Sequence, residues 1–151
     1  PEGHLYFVSP FMQNGTLLEY VDRPSVNRVK LLCETSDAVG YLHREDIVHG
    51  DIKAGNLLIS DHGHVLLCDF GLTKSTYAQT STALKGAGTL RWQSPELWNN
   101  EPRSFASDVY AFSMTIVEVS DYQGVDGRQS FLTEDARLLA GCRLSPIWRM
   151  K

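Results

Sequence analysis

The sequence has few cysteines, no long apolar run and no strong excess of either charge. Its three cysteines, Cys33, Cys68 and Cys142, are widely spaced and form no CxxC pair, which predicts a reducing, cytoplasmic setting without a disulfide framework. Apolar runs such as 65–68 and 116–117 are far shorter than a membrane span, and the N-terminus shows no secretory signal. A net charge of −4 argues against a general nucleic-acid binder. These absences favour an intracellular protein that binds neither nucleic acid nor membrane.

The composition is that of a globular protein with a substantial core. The chain has 151 residues, of which 42% are hydrophobic and 21% charged, enough for one domain. It begins at Pro1 and not at Met, so we expect a fragment of something longer. The character of the sequence changes after Ser120, and we therefore predict a main domain over 1–120 and a divergent segment over 121–151, with one helical candidate at 133–140.

Apolar spacing predicts two long helices and several short strands. Residues 26–44 carry apolar side chains at helical intervals, and residues 105–119 are apolar nearly all round, which indicates a buried helix. A hairpin turn is expected at Asp61-His62-Gly63. Residues 72–88 are rich in Ser, Thr and Gly and predict a long loop. Strands are predicted at 5–9, 47–48, 57–59 and 65–67.

One polar loop between two of these strands concentrates the chemistry. The stretch HGDIKAGN places Asp51, Lys53 and Asn56 between short apolar segments, a position in which catalytic groups are held rigidly. A second acid, Asp69, follows 69 − 51 = 18 residues later, across a hairpin, so both acids can face one cleft. A polar turn followed by a hairpin is the plainer alternative for these residues.

Phosphoryl transfer requires this set of groups. One carboxylate orients the attacking hydroxyl and accepts its proton, an acid and an amide oxygen hold Mg²⁺, and a cation neutralises the transferred phosphoryl group. Asp51, Asp69 with Asn56, and Lys53 could fill these three roles. His49 is expected to pack near Phe70 and to be structural, and Cys68 to be a small buried residue although a reactive thiol is an alternative.

The stretch 49–56 resembles the catalytic loop of protein kinases, and Asp69-Phe70-Gly71 resembles their magnesium motif. Ser94-Pro95-Glu96 is similar to the Ala-Pro-Glu that closes the kinase activation segment. Further likenesses follow in the family's order over residues 5–119: the N-lobe strand and hinge at 5–18, the substrate-docking stretch at 88–92 and the central helix of the C-lobe starting at 108. The resemblance implies an α+β, protein-kinase-like fold, with a mainly α-helical C-lobe, a small β-hairpin region and most of the N-lobe absent.

The resemblance also implies a role for each matched residue. Asp51 and Lys53 would be catalytic, as base and as phosphate contact, and Asn56 with Asp69 would hold Mg²⁺ beside ATP. Thr89 would hydrogen-bond near Asp51 and, with Trp92, help to dock a protein substrate. Lys53 two residues after the base is the Ser/Thr-type pattern of the tyrosine-kinase-like group. The remaining residues would meet the nucleotide (Ser9, Pro10, Phe11, Met12, Leu58) or support the site (His49, Phe70, Gly71, Glu96, Asp108).

The chain departs from the family at several points. Gly50 replaces the usual Arg before the catalytic Asp, so a phosphorylation switch through position 50 is not expected, although Thr76, Tyr77 and residues 80–82 could be modified. No Gly-rich loop, strand Lys or helix Glu of the N-lobe lies within the 151 residues, and no Arg partner for Glu96 is identified. We therefore expect the isolated chain to be a weak kinase or none.

Two other functions remain open from the sequence. A small-molecule phosphotransferase of the aminoglycoside or choline kinase type shares the His-Gly-Asp start and the Asn five residues after the Asp, but Lys53 and residues 88–96 favour the protein kinase. A pseudokinase-like remnant that binds a partner would be non-enzymatic, and it would use the face left open by the missing N-lobe.

Overall fold

The computed structural model describes residues 8–75 and 88–121. Its helices are α1 (Leu17–Tyr20), α2 (Arg28–Arg44), α3 (Pro95–Trp98) and α4 (Phe105–Asp121). Its strands are β1 (Ile47–Val48), β2 (Leu57–Ile59), β3 (Val65–Leu67) and β4 (Lys74–Ser75). Three single 3₁₀ turns complete the description, at Ala54–Asn56, Phe70–Leu72 and Leu90–Trp92. Most of the regular structure in the described residues is thus helical, and the four short strands form two small sheets.

Side-chain caps set the starts of the helices. Thr16 and Glu19 form a capping box at α1, with the Glu19 N–H donating to Thr16 Oγ1 at 3.3 Å and the Thr16 N–H to Glu19 Oε2 at 2.8 Å. The Asn27 side chain accepts from the Lys30 N–H at 2.9 Å at the start of α2. This cap places the start of α2 at Arg28, two residues after the predicted position.

Two antiparallel pairs of strands bring distant parts of the chain together. β2 pairs with β3 across the hairpin, with Leu58 opposite Leu66. β1 pairs with β4, with Val48 opposite Lys74. The first pairing follows from the predicted turn at 61–63, whereas the second joins the segment before the catalytic loop to the segment after the Asp-Phe-Gly motif.

The core lies where α1, α2 and α4 meet the loop and strand that follow β1. Its buried side chains include Leu17, Val39, Ile52, Leu57 and Val119, each at most 2% exposed. α4 buries one face through residues such as Ala111, Phe112 and Thr115, while Val117 on another face is 40% exposed. The prediction that this helix is buried all round is therefore wrong for the described residues.

Several elements differ from the sequence-based expectations. α1, α3 and β4 were not predicted, because helices of four residues and a strand of two have too little periodicity to recognise. Ser9 lies outside any strand, and residues 5–7 of the predicted strand lie outside the described residues. The helical candidate at 133–140 and the modification candidates Thr76, Tyr77, Thr80, Ser81 and Thr82 also lie outside them. The domain boundary at 120 stays a prediction.

The cysteines and the helices bear on the expected setting of the protein. Cys33 is disulfide-bonded, a bond that the predicted absence of a disulfide framework did not anticipate; sequence spacing does not show which thiols the fold brings together. Cys68 is the free cysteine of the described part of the chain. Within residues 8–75 and 88–121, none of the helices combines the length and apolar character that crossing a membrane requires.

Candidate active site

A compact polar cluster forms around Asp51, in the loop between β1 and the turn at Ala54–Asn56. The Lys53 ammonium lies 2.9 Å from Asp51 Oδ2 and donates to Thr89 Oγ1 at 2.6 Å. The Asn56 side-chain amide donates to the Asp51 carbonyl oxygen at 2.8 Å and to Oδ2 at 3.0 Å. The Thr89 N–H donates to Asp51 Oδ1 at 3.1 Å. Three residues proposed from the loop motif thus meet a fourth from 38 positions along the chain.

These contacts keep Asp51 ionised although it is 8% exposed. Burial by itself raises the pKa of the carboxyl, but the hydrogen bond from Lys53, the Thr89 N–H and the Lys53 charge together outweigh burial, so the pKa lies below its ordinary value. A carboxylate in this state carries no proton at neutral pH. Asp51 can therefore accept a hydrogen bond or a proton from a hydroxyl.

His49 connects the catalytic loop to the segment before Asp69. The Asp51 N–H donates to His49 Nδ1 at 3.3 Å, which leaves Nε2–H to donate to the Cys68 carbonyl oxygen at 3.0 Å. Burial lowers the pKa of His49, so the neutral ring with the proton on Nε2 is favoured. The ring also contacts Phe70 edge-on, with centroids 5.2 Å apart. His49 therefore holds the loops of Asp51 and Asp69 together.

α4 supports the loop that carries Asp51 through two acids, Asp108 and Glu118. Asp108, 1% exposed, accepts the N–H groups of His49 at 2.8 Å and Gly50 at 2.9 Å and lies 3.0 Å from His43 Nε2. Ten residues further along the helix, Glu118 Oε2 accepts the Ala54 N–H at 3.0 Å. Four backbone or ring groups of the surrounding chain are thus fixed to one helix.

Asn56 and Asp69 offer hard oxygen ligands of the kind that Mg²⁺ prefers. Both amide hydrogens of Asn56 are used on Asp51, which directs the amide oxygen away from that carboxylate. Asp69 is exposed, adopts a left-handed backbone with φ 62°, and its Oδ1 accepts the Gly71 N–H at 3.3 Å. Among the described residues no cluster of three or more His, Cys, Asp or Glu could hold a metal. That Asn56 and Asp69 hold Mg²⁺ together therefore stays a prediction.

The predicted hinge is anchored to the strand that carries Leu58. A turn joins the Met12 carbonyl oxygen to the Gly15 N–H at 3.1 Å, and the Gly15 carbonyl oxygen accepts the Ile59 N–H at 2.9 Å. Thr16 forms a β-bridge with Leu58. These contacts place Met12 and Leu58 in one region of the molecule. The preceding residues Ser9, Pro10 and Phe11 are exposed, with Phe11 at 85%.

Gly50 has a conformation that an L-residue rarely adopts. Its φ is +89°, and a Cβ atom there would stand 2.9 Å from the Leu72 carbonyl oxygen and 2.7 Å from Arg103 Cδ. The Arg103 side chain also donates from Nε to the Gly50 carbonyl oxygen at 3.1 Å. The usual Arg would not fit at position 50 without a shift of both neighbours.

The other residues singled out in the sequence lie outside the Asp51 cluster. Trp92 is half-buried and packs against the core, and its part in docking a substrate stays a prediction. Glu96 lies half-buried in α3. Cys68 donates through Sγ to the Asn56 carbonyl oxygen at 3.1 Å, and burial and Asp69 raise the pKa of its thiol, which opposes thiolate formation. The reactive-thiol alternative is therefore not favoured.

Sequence reasoning missed Glu118 and Arg103. Glu118 is a lone acid in the apolar run Ile116-Val117-Glu118-Val119. An acid within a helix that packs on the core indicates a buried partner, and this signal could have identified Glu118. Arg103 gave no signal, because its contact with Gly50 joins residues 53 positions apart.

Comparison with known proteins identifies relatives over most of the chain. A family model described as protein tyrosine and serine/threonine kinase matches residues 1–138. Tyrosine-protein kinase abl-1 of Caenorhabditis elegans is 34% identical over 128 residues, or 80% of this chain. A probable serine/threonine-protein kinase of Dictyostelium discoideum is 31% identical over 145 residues, or 90% of the chain. Probable serine/threonine-protein kinase SIS8 of Arabidopsis thaliana is 30% identical over 134 residues, or 84%.

The matched region is a small part of each relative. It covers 10% of the nematode protein, 16% of the Dictyostelium protein and 13% of the Arabidopsis protein. The likeness therefore concerns one domain or part of one, and both tyrosine and serine/threonine enzymes show it at similar identity.

Proposed function

Because the chain belongs to the protein tyrosine and serine/threonine kinase family, we propose that it transfers the γ-phosphoryl group of ATP, with Mg²⁺, to serine or threonine hydroxyls of proteins. The single observation that supports this most is the ionised Asp51, held by Lys53, Asn56 and Thr89 at 2.9–3.1 Å. Phosphoryl transfer depends on positioning and electrostatics, and this cluster supplies both.

In the proposed reaction Asp51 acts as the base. A carboxylate has about four lone-pair positions; Lys53 and Asn56 use two on Oδ2 and the Thr89 N–H uses one on Oδ1. The remaining position on Oδ1 can accept the substrate hydroxyl. As the hydroxyl oxygen bonds to the γ-phosphorus and the bond to the ADP oxygen breaks, the hydroxyl proton passes to Asp51. Base assistance of this kind contributes ~10²–10⁴-fold.

Lys53, positioned by Thr89, supplies the positive charge that the proposed reaction needs. The Lys53 ammonium, fixed between Asp51 Oδ2 and Thr89 Oγ1, stands beside the base and would neutralise the transferred phosphoryl group. Mg²⁺, when bound, neutralises the phosphate oxygens of ATP. Asn56 and Asp69 would hold it, and His49 keeps the loop of Asp69 at the loop of Asp51.

Serine or threonine is the favoured acceptor because of Lys53. Lys53 donates to Thr89 Oγ1 beside the base, and the resemblance assigns this lysine to the Ser/Thr pattern. The matched relatives include tyrosine kinases, so phosphoamino-acid analysis of the product is the direct check. Protein substrates are favoured over small alcohols because the matched family and the three relatives are protein kinases. We place this activity in the cytoplasm, where ATP and protein substrates occur together.

The first experiment measures Mg²⁺-dependent ATP binding and phosphoryl transfer by the full 151-residue chain. We expect weak ATP binding that requires Mg²⁺ and is lost in Asp69→Asn, because the chain supplies the hinge, Leu58 and the oxygen ligands but no Gly-rich loop. Turnover onto a generic protein substrate should be slow, and Asp51→Asn should lower it by a further ~10²–10⁴-fold.

Asp61→Asn is the matched control, since Asp61 is an exposed aspartate in the hairpin turn. It should leave nucleotide binding and turnover unchanged. Equal effects of Asp61→Asn and Asp69→Asn, or phosphotyrosine as the main product, would contradict the proposal. Turnover at ordinary kinase rates would contradict the expectation that the chain alone is weak.

A binding module is the second candidate function. Val8 is 97% exposed, Phe11 85% and Phe70 52%, and large exposed apolar side chains often mark a contact surface. Phe11 belongs to the predicted hinge and Phe70 follows Asp69, so such a surface would adjoin the proposed nucleotide site. Absence of any Mg²⁺–ATP binding, together with a folded chain, would favour this candidate over catalysis.

A further inference from the structure

A cleft opens where three segments of the chain meet. It is bounded by the end of α1 with the loop that follows, by the first residues of α2 and by the turn between β2 and β3. The cleft has a volume of about 330 Å³, within the range of small ligand sites. None of the residues that line it belongs to the Asp51 cluster, so a ligand in the cleft would be separate from the proposed nucleotide site.

The charge of the cleft is opposite to that of the whole chain. Arg23 and Lys30 line it, and none of the lining residues is acidic, whereas the chain carries a net charge of −4. The Lys30 side chain is 52% exposed, and its ammonium lies 3.6 Å from Glu34 Oε1. Glu34 also lies 3.0 Å from His64 Nδ1 and accepts the Val65 N–H at 2.9 Å. Because this carboxylate is shared, Lys30 can still attract an anion in the cleft.

Arg23 is held in place by uncharged groups. Its guanidinium carbon lies 4.5 Å from the centroid of the Tyr20 ring. Nη1 donates to Asn14 Oδ1 at 2.7 Å, and Nη2 donates to the Asn14 carbonyl oxygen at 3.3 Å. These contacts leave further N–H groups of the guanidinium for a carboxylate. A side chain that is already ordered loses less conformational entropy on binding, so Arg23 is a preorganised contact for an anion.

Lys30 stands where a helix disfavours a cation. It is the third residue of α2, whose first turn contains no acidic residue. The N-terminal end of a helix carries a partial positive charge, which repels an ammonium. The Asn27 side chain accepts the Lys30 N–H at 2.9 Å, but it brings no negative charge. An anion in the cleft would therefore interact favourably with the Lys30 ammonium and with this end of α2.

Apolar groups line the same cleft. Leu31 is 3% exposed, and Tyr20 and Val26 are half-buried and pack against the core. The turn between β2 and β3 comes close to Tyr20, since a Cβ at Gly63 would stand 3.6 Å from Tyr20 Oη. A small inorganic anion would use only the cations of the cleft. A peptide can place carboxylates at the cations and an apolar side chain against the apolar groups.

We propose that this cleft binds an acidic segment of a partner protein, in which carboxylates flank one apolar side chain. Charge complementarity supports this occupant, because Arg23 and Lys30 offer a guanidinium and an ammonium to the carboxylates. The apolar side chain of the segment contacts Leu31 and Tyr20. Exposed charge pairs contribute little each, so the complex is weak and transient. The site is independent of whether the chain itself catalyses phosphoryl transfer.

The test titrates the full 151-residue chain with a terminally blocked pentapeptide, in which one leucine stands between two glutamates on either side. Backbone amide NMR shifts locate the peptide and give its dissociation constant, and we expect the shifts at residues 23–31 and 62–63. A second peptide has glutamines in place of the glutamates, and a third has glycine in place of the leucine. Each should bind about fivefold more weakly or worse. Added salt should weaken binding of the first peptide.

Variants then identify the cations. Arg23→Gln and Lys30→Gln should each weaken binding of the glutamate peptide about threefold to fivefold, while Arg23→Lys keeps the charge and should keep part of the affinity. Arg91→Gln is the matched control, because Arg91 is also exposed and its guanidinium carbon lies 5.6 Å from the centroid of the Trp92 ring. It changes the net charge by the same amount and should leave the affinity intact.

Several results would overturn the proposal. No binding of the glutamate peptide, equal affinity for the glutamine peptide, or equal losses in Lys30→Gln and Arg91→Gln would each do so. Inorganic phosphate that shifts the same amides with equal affinity would show a general anion site and not a peptide site. If Arg23→Gln fails to fold, as judged by circular dichroism, Lys30→Gln and Arg23→Lys still decide. Lys30→Gln should fold, because it removes a cation from the first turn of α2.

Discussion

Asp51 owes its low pKa to neighbours from separate parts of the chain. Lys53 and Asn56 follow it within five residues, whereas Thr89 lies 38 positions further along the chain. Burial opposes ionisation, and these donors reverse its effect. The stabilisation that the ionised Asp51 contributes is therefore present at neutral pH and is lost as pH falls below the ordinary value of 3.8 through the lower pKa of the folded state.

Replacing Lys53 should raise the pKa of Asp51. In Lys53→Met the carboxyl stays buried but loses its ammonium partner. The effect of burial, which raises the pKa of Asp51, is then opposed only by the remaining hydrogen-bond donors. On acidification, we expect the free energy of unfolding to start falling at a higher pH than in the wild type. NMR titration of the Asp51 carboxyl carbon measures the shift directly, and Lys30→Met is the control because Lys30 pairs with Glu34 on α2. An unchanged Asp51 titration in Lys53→Met would show that Lys53 does not set it.

At the scale of elements, α4 supports the loop that carries Asp51 and Lys53. Its Asp108 binds the backbone at His49 and Gly50, and its Glu118 binds the backbone at Ala54. These two acids hold both ends of the loop that carries Asp51 and Lys53. The turn Ser104–Ser107, in which the Ser107 N–H donates to Ser104 Oγ at 3.3 Å, starts the helix.

Changing Asp108 to Asn should destabilise the protein strongly. An amide replaces one acceptor oxygen by a donor, while the N–H groups of His49 and Gly50 stay buried and need acceptors. The variant loses a hydrogen bond to a charged group and leaves a buried N–H donor without an acceptor. We therefore expect the free energy of unfolding to fall by about 2–3 kcal/mol. Urea denaturation measures it. Asp37→Asn, on the exposed side of α2, should change stability by less than about 0.5 kcal/mol.

At the scale of the whole molecule, one core joins the helices to the site. Leu17, Val39, Leu57 and Val119 come from α1, α2, β2 and α4 and are buried in one cluster. Because Ile52 of the catalytic loop lies in the same cluster, loosening the core also loosens the site. The two small sheets add little to the core, since β1 and β4 have two residues each. Their role is to hold distant segments of the chain side by side.

Truncating Leu57 should test this single core. Leu57 is 0% exposed, and Leu57→Ala leaves a cavity, so we expect a loss of about 2–5 kcal/mol. Leu66→Ala in the paired strand is the control, because Leu66 is 41% exposed and should cost much less. Thermal unfolding followed by circular dichroism compares them. Similar midpoints for the two variants would contradict the burial that distinguishes the two leucines.

Much of the local structure and of the loop chemistry could be predicted from the sequence. The spacing of apolar residues indicated α2, α4, β1, β2 and β3, and the turn residues Asp61-His62-Gly63 indicated the hairpin. These signals are local: a helix or hairpin repeats its pattern within a few residues. Asp51, Lys53 and Asn56 lie close together in the chain, so their proximity also followed from the sequence.

The sequence by itself determined the family and placed Asp51, Lys53 and Asn56 in one short loop; their roles and the Mg²⁺ pair of Asn56 and Asp69 stay predictions. Tertiary structure alone decided that Lys53 meets Thr89, that β4 pairs with β1, that Glu118 supports Ala54 and that Arg103 lies at Gly50. Each of these contacts joins residues 26 or more positions apart. No periodic pattern encodes such a contact, because it exists only once the core has packed and fixed the distance between the elements that carry the two residues.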